Sequence, residues 1–131
     1  MGLDTTVLIR ALVLGQGDEG SRARDLIKRA RAAAEPAFVN HVVLCEAMWV
    51  LARTYRYSRA QIAESVTTIL GTPAFSVAER PSVEEALRAF EASRADFADC
   101  LIGVLNRRAG CATTYTFDRR AAETAEFSPV P

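Results

Sequence analysis

Five carboxylates, Asp4, Glu46, Asp96, Asp99 and Asp118, each stand within or at the edge of an apolar run. An ionised carboxylate buried alone costs roughly several kcal/mol, so such residues call for a cation, a hydrogen-bond donor or a raised pKa. They come from four separate segments, with one histidine and three scattered cysteines as the only softer ligands, so they define a hard oxygen environment. That environment suits Mg2+ or Mn2+, which pair well with phosphate oxygens. Two such ions about 3.5–4 Å apart activate water and stabilise the leaving oxygen of a phosphodiester. Hydrolysis of a nucleic-acid backbone is the chemistry that fits, with the carboxylates holding metal rather than attacking.

The elements that must position these acids follow from pattern. Asp4 comes after Met1-Gly2-Leu3 and before Thr5-Thr6-Val7-Leu8-Ile9, which reads as a short strand turning into a helix-competent segment over 5–14. Glu46 is the only charge between Asn40 and Ala52. A helix apolar on every side is expected to be buried, and Glu46 with it, serving a site or an ion pair to Arg10 or Arg53. Asp96 and Asp99, three apart, share one face of the helix that continues through Cys100-Leu101-Ile102. Asp118 ends the β-branched and aromatic stretch 111–117, a predicted strand. Asp4 and Asp118 therefore fall at carboxyl ends of strands, where open α/β sheets place ligand sites.

Between these segments, glycines and acids over 15–20 read as a loop, followed by an amphipathic helix over 21–34 with a basic outer face. Pro36 introduces a strand over 37–40. Ser58 with Gln61 and Ser82 with Glu85 have the form of capping boxes, and 74–77 reads as a further strand. Gly110 is placed to close the Asp99 helix, and the tail 127–131 reads as irregular. Alternation of short strands with helices predicts the α/β class.

At 131 residues and 14.3 kDa the chain is expected to form one domain over 1–131. Sixteen basic and sixteen acidic residues give zero formal net charge, so bulk charge does not announce a nucleic-acid binder and a polyanion must be held locally. Cys45, Cys100 and Cys111 fit no zinc spacing and read as reduced core residues of a cytoplasmic protein. No apolar run approaches the roughly 20 residues of a membrane span.

The order Asp4-Thr5-Thr6-Val7-Leu8-Ile9, Glu46 in an apolar helix, Asp96-Phe97-Ala98-Asp99-Cys100-Leu101-Ile102, then Thr116-Phe117-Asp118-Arg119 resembles a PIN domain. More narrowly it is similar to the VapC-type ribonuclease toxins of bacterial type II toxin-antitoxin modules, over essentially the whole chain. The resemblance implies a three-layer α/β/α fold with a central, mostly parallel sheet, and acids converging at the sheet's carboxyl edge on one or two Mg2+ or Mn2+ ions. It matches Asp4, Glu46, Asp99 and Asp118, in that order, to the family's four catalytic and metal-binding acids. Asp96, one turn before Asp99, is an auxiliary ligand or a helix N-cap. Thr116 matches a small hydroxyl residue that supports the metal or the phosphate. The resemblance further implies an RNA substrate, a cognate antitoxin lying across the active-site groove, and a homodimer, with the apolar helices between 42 and 70 supplying groove and dimer surface. One departure concerns Thr6, which stands where the family usually has asparagine and has one donor fewer and no amide acceptor.

Arg119 is the first candidate for a substrate-backbone contact and Arg10 the second, with Thr6 and Thr116 completing the substrate set. Arg53, Arg56, Arg107, Arg108 and Arg120 read as a solvated face. His41 reads as a hydrogen-bonded structural residue, Trp49 as core or dimer packing, and Tyr55 and Tyr57 as stacking or partner-helix residues. Two other functions compete: a PIN-like binding module with weak or no catalysis, and a phosphatase, which would need an acid where Thr6 stands.

Overall fold

The computed structural model describes all 131 residues, Met1 to Pro131. The chain divides into two compact units, Met1–Ala78 and Glu79–Pro131.

The first unit runs α1 (Thr5–Leu12), α2 (Gly17–Ala32), β1 (Ala37–Val39), α3 (His41–Arg53), α4 (Arg59–Gly71) and β2 (Phe75–Val77). β1 and β2 pair in parallel, Ala37 opposite Phe75 and Val39 opposite Val77. The predicted strand before Asp4 is a single parallel bridge, Gly2 to Phe38, extended by Leu3 N donating to Phe38 O at 3.0 Å. Leu8, Val39, Leu44, Leu51, Val66 and Ile69 fill the core of this unit, each excluded from solvent almost completely. Helix α4 opens on the predicted box: Ser58 Oγ accepts from Gln61 N while Gln61 Oε1 accepts from Ser58 N.

Helix α2 corrects the loop expected over 15–20. Gly15 and Gly17 take the left-handed φ values 76° and 64° that turn the chain, and the helix begins at Gly17 with Asp18 and Glu19 at its positive end. Gly20, read as a loop residue, is instead a packing residue. A Cβ there would stand 2.7 Å from Gln16 Cβ and 3.3 Å from Arg10 O, so α2 approaches the α1 backbone only with hydrogen in that place.

The second unit runs α5 (Arg80–Glu91), α6 (Phe97–Arg108), β3 (Thr114–Thr116), a 3-10 turn (Ala121–Glu123) and β4 (Phe127–Pro129). β3 and β4 are parallel, Thr114 opposite Phe127 and Thr116 opposite Pro129. The tail expected to be irregular is therefore a strand. Phe127 buries its ring, Thr114 N donates to Glu126 O at 2.9 Å, and the Thr113 and Ser128 hydroxyls meet at 2.7 Å. Pro129 is tolerated there because an edge strand has amides to spare.

The second predicted capping box does not form. Helix α5 starts at Arg80 behind Glu79, which takes φ 41° without a side-chain cap, and Ser82 is buried inside the first turn. Glu85 instead receives guanidinium hydrogen bonds from Arg107 and Arg108, joining α5 to α6. Burial raises its carboxyl pKa, but the Arg108 hydrogen bond and the charges of Arg107 and Arg108 outweigh this and hold it below the usual range. Phe90 and Phe97 pack edge to face at 6.1 Å between the same helices.

Helices alternating with parallel strands make this an α/β fold, as the pattern predicts. The parallel sheet takes the form of one two-stranded pair in each unit. No helix is long and apolar enough to cross a membrane.

Candidate functional site

Two of the five acids lie in the first unit. Asp4 caps α1: its backbone is extended and its Oδ1 accepts from Val7 N at 2.9 Å, leaving the second carboxylate oxygen outside the cap. The residue sits directly after the Gly2–Leu3 pairing with β1, so it occupies the carboxyl end of that incipient strand. Glu46 is carried by α3, which Asn40 starts by accepting from Val43 N at 2.9 Å.

The expectation that Glu46 is buried is wrong. Val43, Leu44, Ala47, Met48 and Leu51 turn α3 toward the core, while Glu46 is exposed on the other side with Val42, 74% exposed, and Trp49, 58% exposed. The helix is apolar all round in composition and buried on one side only. Neither arginine proposed as the partner of Glu46 takes that role. Arg10 pairs with Glu19 of α2 and hydrogen-bonds Gln16, while the Arg53 guanidinium lies over the Trp49 ring at 5.4 Å. Tyr55 hydroxyl also donates to Gln16, at 3.2 Å, so Arg10 and Tyr55 both serve the α1–α2 corner. His41 is structural as read, its Nε2 donating to Ala78 O at 2.7 Å.

The other three acids lie in the second unit. Asp96 occupies the N-cap position of α6, yet its side chain makes no capping bond. Asp99 follows one turn later and is half-buried. Asp118 stands at the carboxyl end of β3, where its Oδ1 accepts from Arg120 N at 2.8 Å and Ala121 N at 3.2 Å and so opens the 3-10 turn. Thr116 Oγ1 accepts from Asp118 N at 2.9 Å, fixing the residue from the strand side. Asn106 Nδ2 donates to Thr114 Oγ1 at 3.0 Å, tying α6 to β3.

None of the five carboxylates forms an ion pair. Asp99 shows the consequence. Burial raises its carboxyl pKa above the ordinary 3.8, and the charges of Asp96 and Asp118 raise it further. A carboxylate in the first turn of a helix is normally stabilised by the macrodipole. Here desolvation and two like charges win, so Asp99 lies within electrostatic reach of Asp96 and Asp118, a cluster of like charge in which no member has an ion pair.

A hard divalent cation suits this cluster in donor chemistry: all ligands are oxygen, and the charge it would neutralise is present. Within either unit, however, no three His, Cys, Asp or Glu side chains are drawn close enough to form a closed ligand set. The acids are near enough to feel one another without being gathered.

Arg107 and Arg108 are committed to Glu85 and Glu126, whereas Arg119 and Arg120 are exposed and form no ion pair. Thr6 is exposed beside Asp4. Only Cys100 is the buried core cysteine expected of all three: Cys45 is half-buried and Cys111 exposed. Phe117, 90% exposed beside Asp118, was read only as strand-forming, yet the alternation Thr114-Tyr115-Thr116-Phe117 already separates hydroxyls from rings.

Residues 1–127 match the family model described as the PIN domain. The chain is also 30% identical over 118 residues, 90% of its own length and 87% of the relative's, to the VapC ribonuclease of Aquifex aeolicus (strain VF5).

Proposed function

The chain belongs to the PIN domain family, and from that premise we propose that it is an Mg2+- or Mn2+-dependent endoribonuclease, a single domain of the VapC toxin type held silent by a cognate antitoxin. The observation that carries the reading is the placement of Asp4 and Asp118 at carboxyl ends of extended segments, each with one oxygen held by backbone amides and neither in an ion pair, in a chain whose relative is a ribonuclease.

Asp4, Glu46, Asp99 and Asp118 are the residues that would hold the metal, with Asp96 in support. When bound, the ion supplies an acidified water and neutralises charge on the scissile phosphate. The chain's own residues orient the ligands. One oxygen each of Asp4 and Asp118 is anchored by backbone amides, which fixes the direction in which the other is presented. Thr116 secures Asp118 from behind, and Thr6 and Arg119 are the side chains assigned to the RNA backbone. Arg10, held by Glu19 and Gln16, is the weaker of the two arginine candidates. The exposed side of α3 bearing Val42 and Trp49 is the surface assigned to a protein partner, an antitoxin or a second copy.

The test is cleavage of RNA with Mg2+ or Mn2+ by wild type, Asp4→Asn and Asp118→Asn. Loss of cleavage in both variants and on chelation is expected. Full activity in both variants, or indifference to chelator, overturns the reading; no cleavage and no Mn2+ binding by the wild type leaves a PIN-like binding module.

A further inference from the structure

Two rings stand in solvent next to Asp118. Exposure alternates along the end of β3: Thr114 and Thr116 are half-buried and engaged by Asn106 and by the Asp118 amide, whereas Tyr115 is 63% and Phe117 90% exposed. A phenylalanine left this far in water adds nothing to the core of its unit. The residues that follow it are Asp118, the exposed Arg119, which forms no ion pair, and the exposed Arg120, whose charge acts on Glu123.

The acids beside these rings set the problem that the rings solve. Asp96, Asp99 and Asp118, and any divalent cation they hold, address phosphate oxygens and leave the bases without a contact, so a base must be held by a group indifferent to charge. An aromatic face is such a group: bases stack on it whatever their sequence, and stacking does not depend on salt as a phosphate contact does. Bases locked in a duplex offer no free face, so the strand must be unpaired. Arg119, exposed and without an ion pair two positions after the ring, supplies a charge complementary to the phosphates of such a strand.

We propose that Phe117, seconded by Tyr115, is a base-stacking platform that receives unpaired nucleobases of single-stranded RNA beside the phosphodiester presented to Asp118. The platform sets the position of the cut relative to the stacked base and makes unpaired structure a requirement of the substrate. This rests on the ribonuclease reading above.

The experiment measures KM and kcat for a single-stranded oligoribonucleotide with Mn2+, for wild type, Phe117→Ala, Phe117→Trp and Tyr115→Ala. Stacking held equally in ground and transition states raises KM with little change in kcat. Phe117→Ala is expected to raise KM by about tenfold and Tyr115→Ala by less, within the range that base stacking supplies. Phe117→Trp keeps the wild-type KM, and in a Trp49→Phe background its single indole is quenched by the oligonucleotide. The dependence of KM on salt keeps its slope in Phe117→Ala and becomes shallower in Arg119→Ala. A wild-type KM in Phe117→Ala overturns the platform and leaves the ribonuclease standing, and so does failure of the tryptophan variant to restore KM. A change in molecular mass by light scattering on Phe117→Ala overturns it in favour of a protein contact. A wild type that cuts no RNA overturns both readings.

Discussion

Replacing Gly103 by alanine is the sharpest test of how the second unit holds Asp99. Gly103 lies one turn beyond Asp99 on α6, buried against β4. A Cβ at this position would meet Phe127 Cε2 at 2.6 Å and Glu126 Cβ at 2.7 Å, where ordinary contact begins at 3.4 Å. Helix and strand would have to part by 0.8 and 0.7 Å at those two points. The Phe127 ring is buried and Glu126 Cβ adjoins the backbone, so neither yields as a flexible side-chain end would. Overpacking of this kind costs about 1–3 kcal/mol, against a gain of about 1 kcal/mol from alanine in a helix interior. Weighted toward the upper part of that range, the net destabilisation is about 1–2 kcal/mol, or roughly 4–7 °C in Tm for a chain of this length. The control is Gly71→Ala at the end of α4, where nothing lies within 4 Å of the added Cβ; the same chemical change there should stabilise by about 0.5 kcal/mol. The assay is thermal unfolding by circular dichroism, followed by cleavage kinetics at a temperature where both variants are folded. Displacement of α6 approaching 1 Å should lower cleavage by roughly ten- to a hundredfold, since catalysis is that sensitive to placement. A Gly103→Ala protein that melts with or above wild type refutes the reasoning that a glycine is required for the α6–β4 approach.

Three further outcomes are expected. Asp99→Asn should melt at or above wild type in metal-free buffer at pH 7 while losing cleavage: the folded carboxyl holds its proton to higher pH than the unfolded one, so its ionisation opposes folding above the raised pKa and ceases to matter below the ordinary 3.8. The difference in Tm should therefore shrink as pH falls from 7 toward 4, and a metal-free variant far below wild type at pH 7 would contradict the cluster. Asn40→Ala removes the acceptor for Val43 N and should cost about 1 kcal/mol by denaturant unfolding, with no change in Mn2+ dependence. Thr116→Val, which removes the acceptor for the Asp118 amide, should cost about 1 kcal/mol or less in stability but several-fold in kcat; equal kcat would show that Asp118 is held well enough by the turn alone.

The local placement of Asp4, Asp99 and Asp118 in the candidate site was legible because acids in apolar runs are conspicuous and their surroundings are local. Asp4 and Asp118 fall at strand ends, and the helix carrying Asp99 begins at the predicted acid pair. Where the reading failed, the cause lies in packing that pattern does not carry. Glu46 was expected inside because α3 is apolar by composition, but composition does not tell which side of a helix meets the core and which awaits another surface. Gly20 was read as punctuation and is a contact; Ser82 was read as a cap and is buried. The last strand escaped because Phe-Ser-Pro is too short to show a period, and only its parallel register beside Thr114–Thr116 defines it.

The tethering of one carboxylate oxygen at Asp4 and at Asp118 bears on how a null mutant should be built. Each aspartate is at once a proposed ligand and a structural pin for the first amides of the turn that follows. Alanine removes both roles, so a silent alanine variant reports damaged architecture and lost chemistry as a single sum. Asparagine keeps an isosteric acceptor for the amides and discards only the charge. Glutamate keeps the charge but moves the acceptor a methylene farther from the backbone it must reach. A matched pair of asparagine and glutamate exchanges at these positions would thus separate what the scaffold needs from what the cation needs, with each substitution sparing what the other spoils.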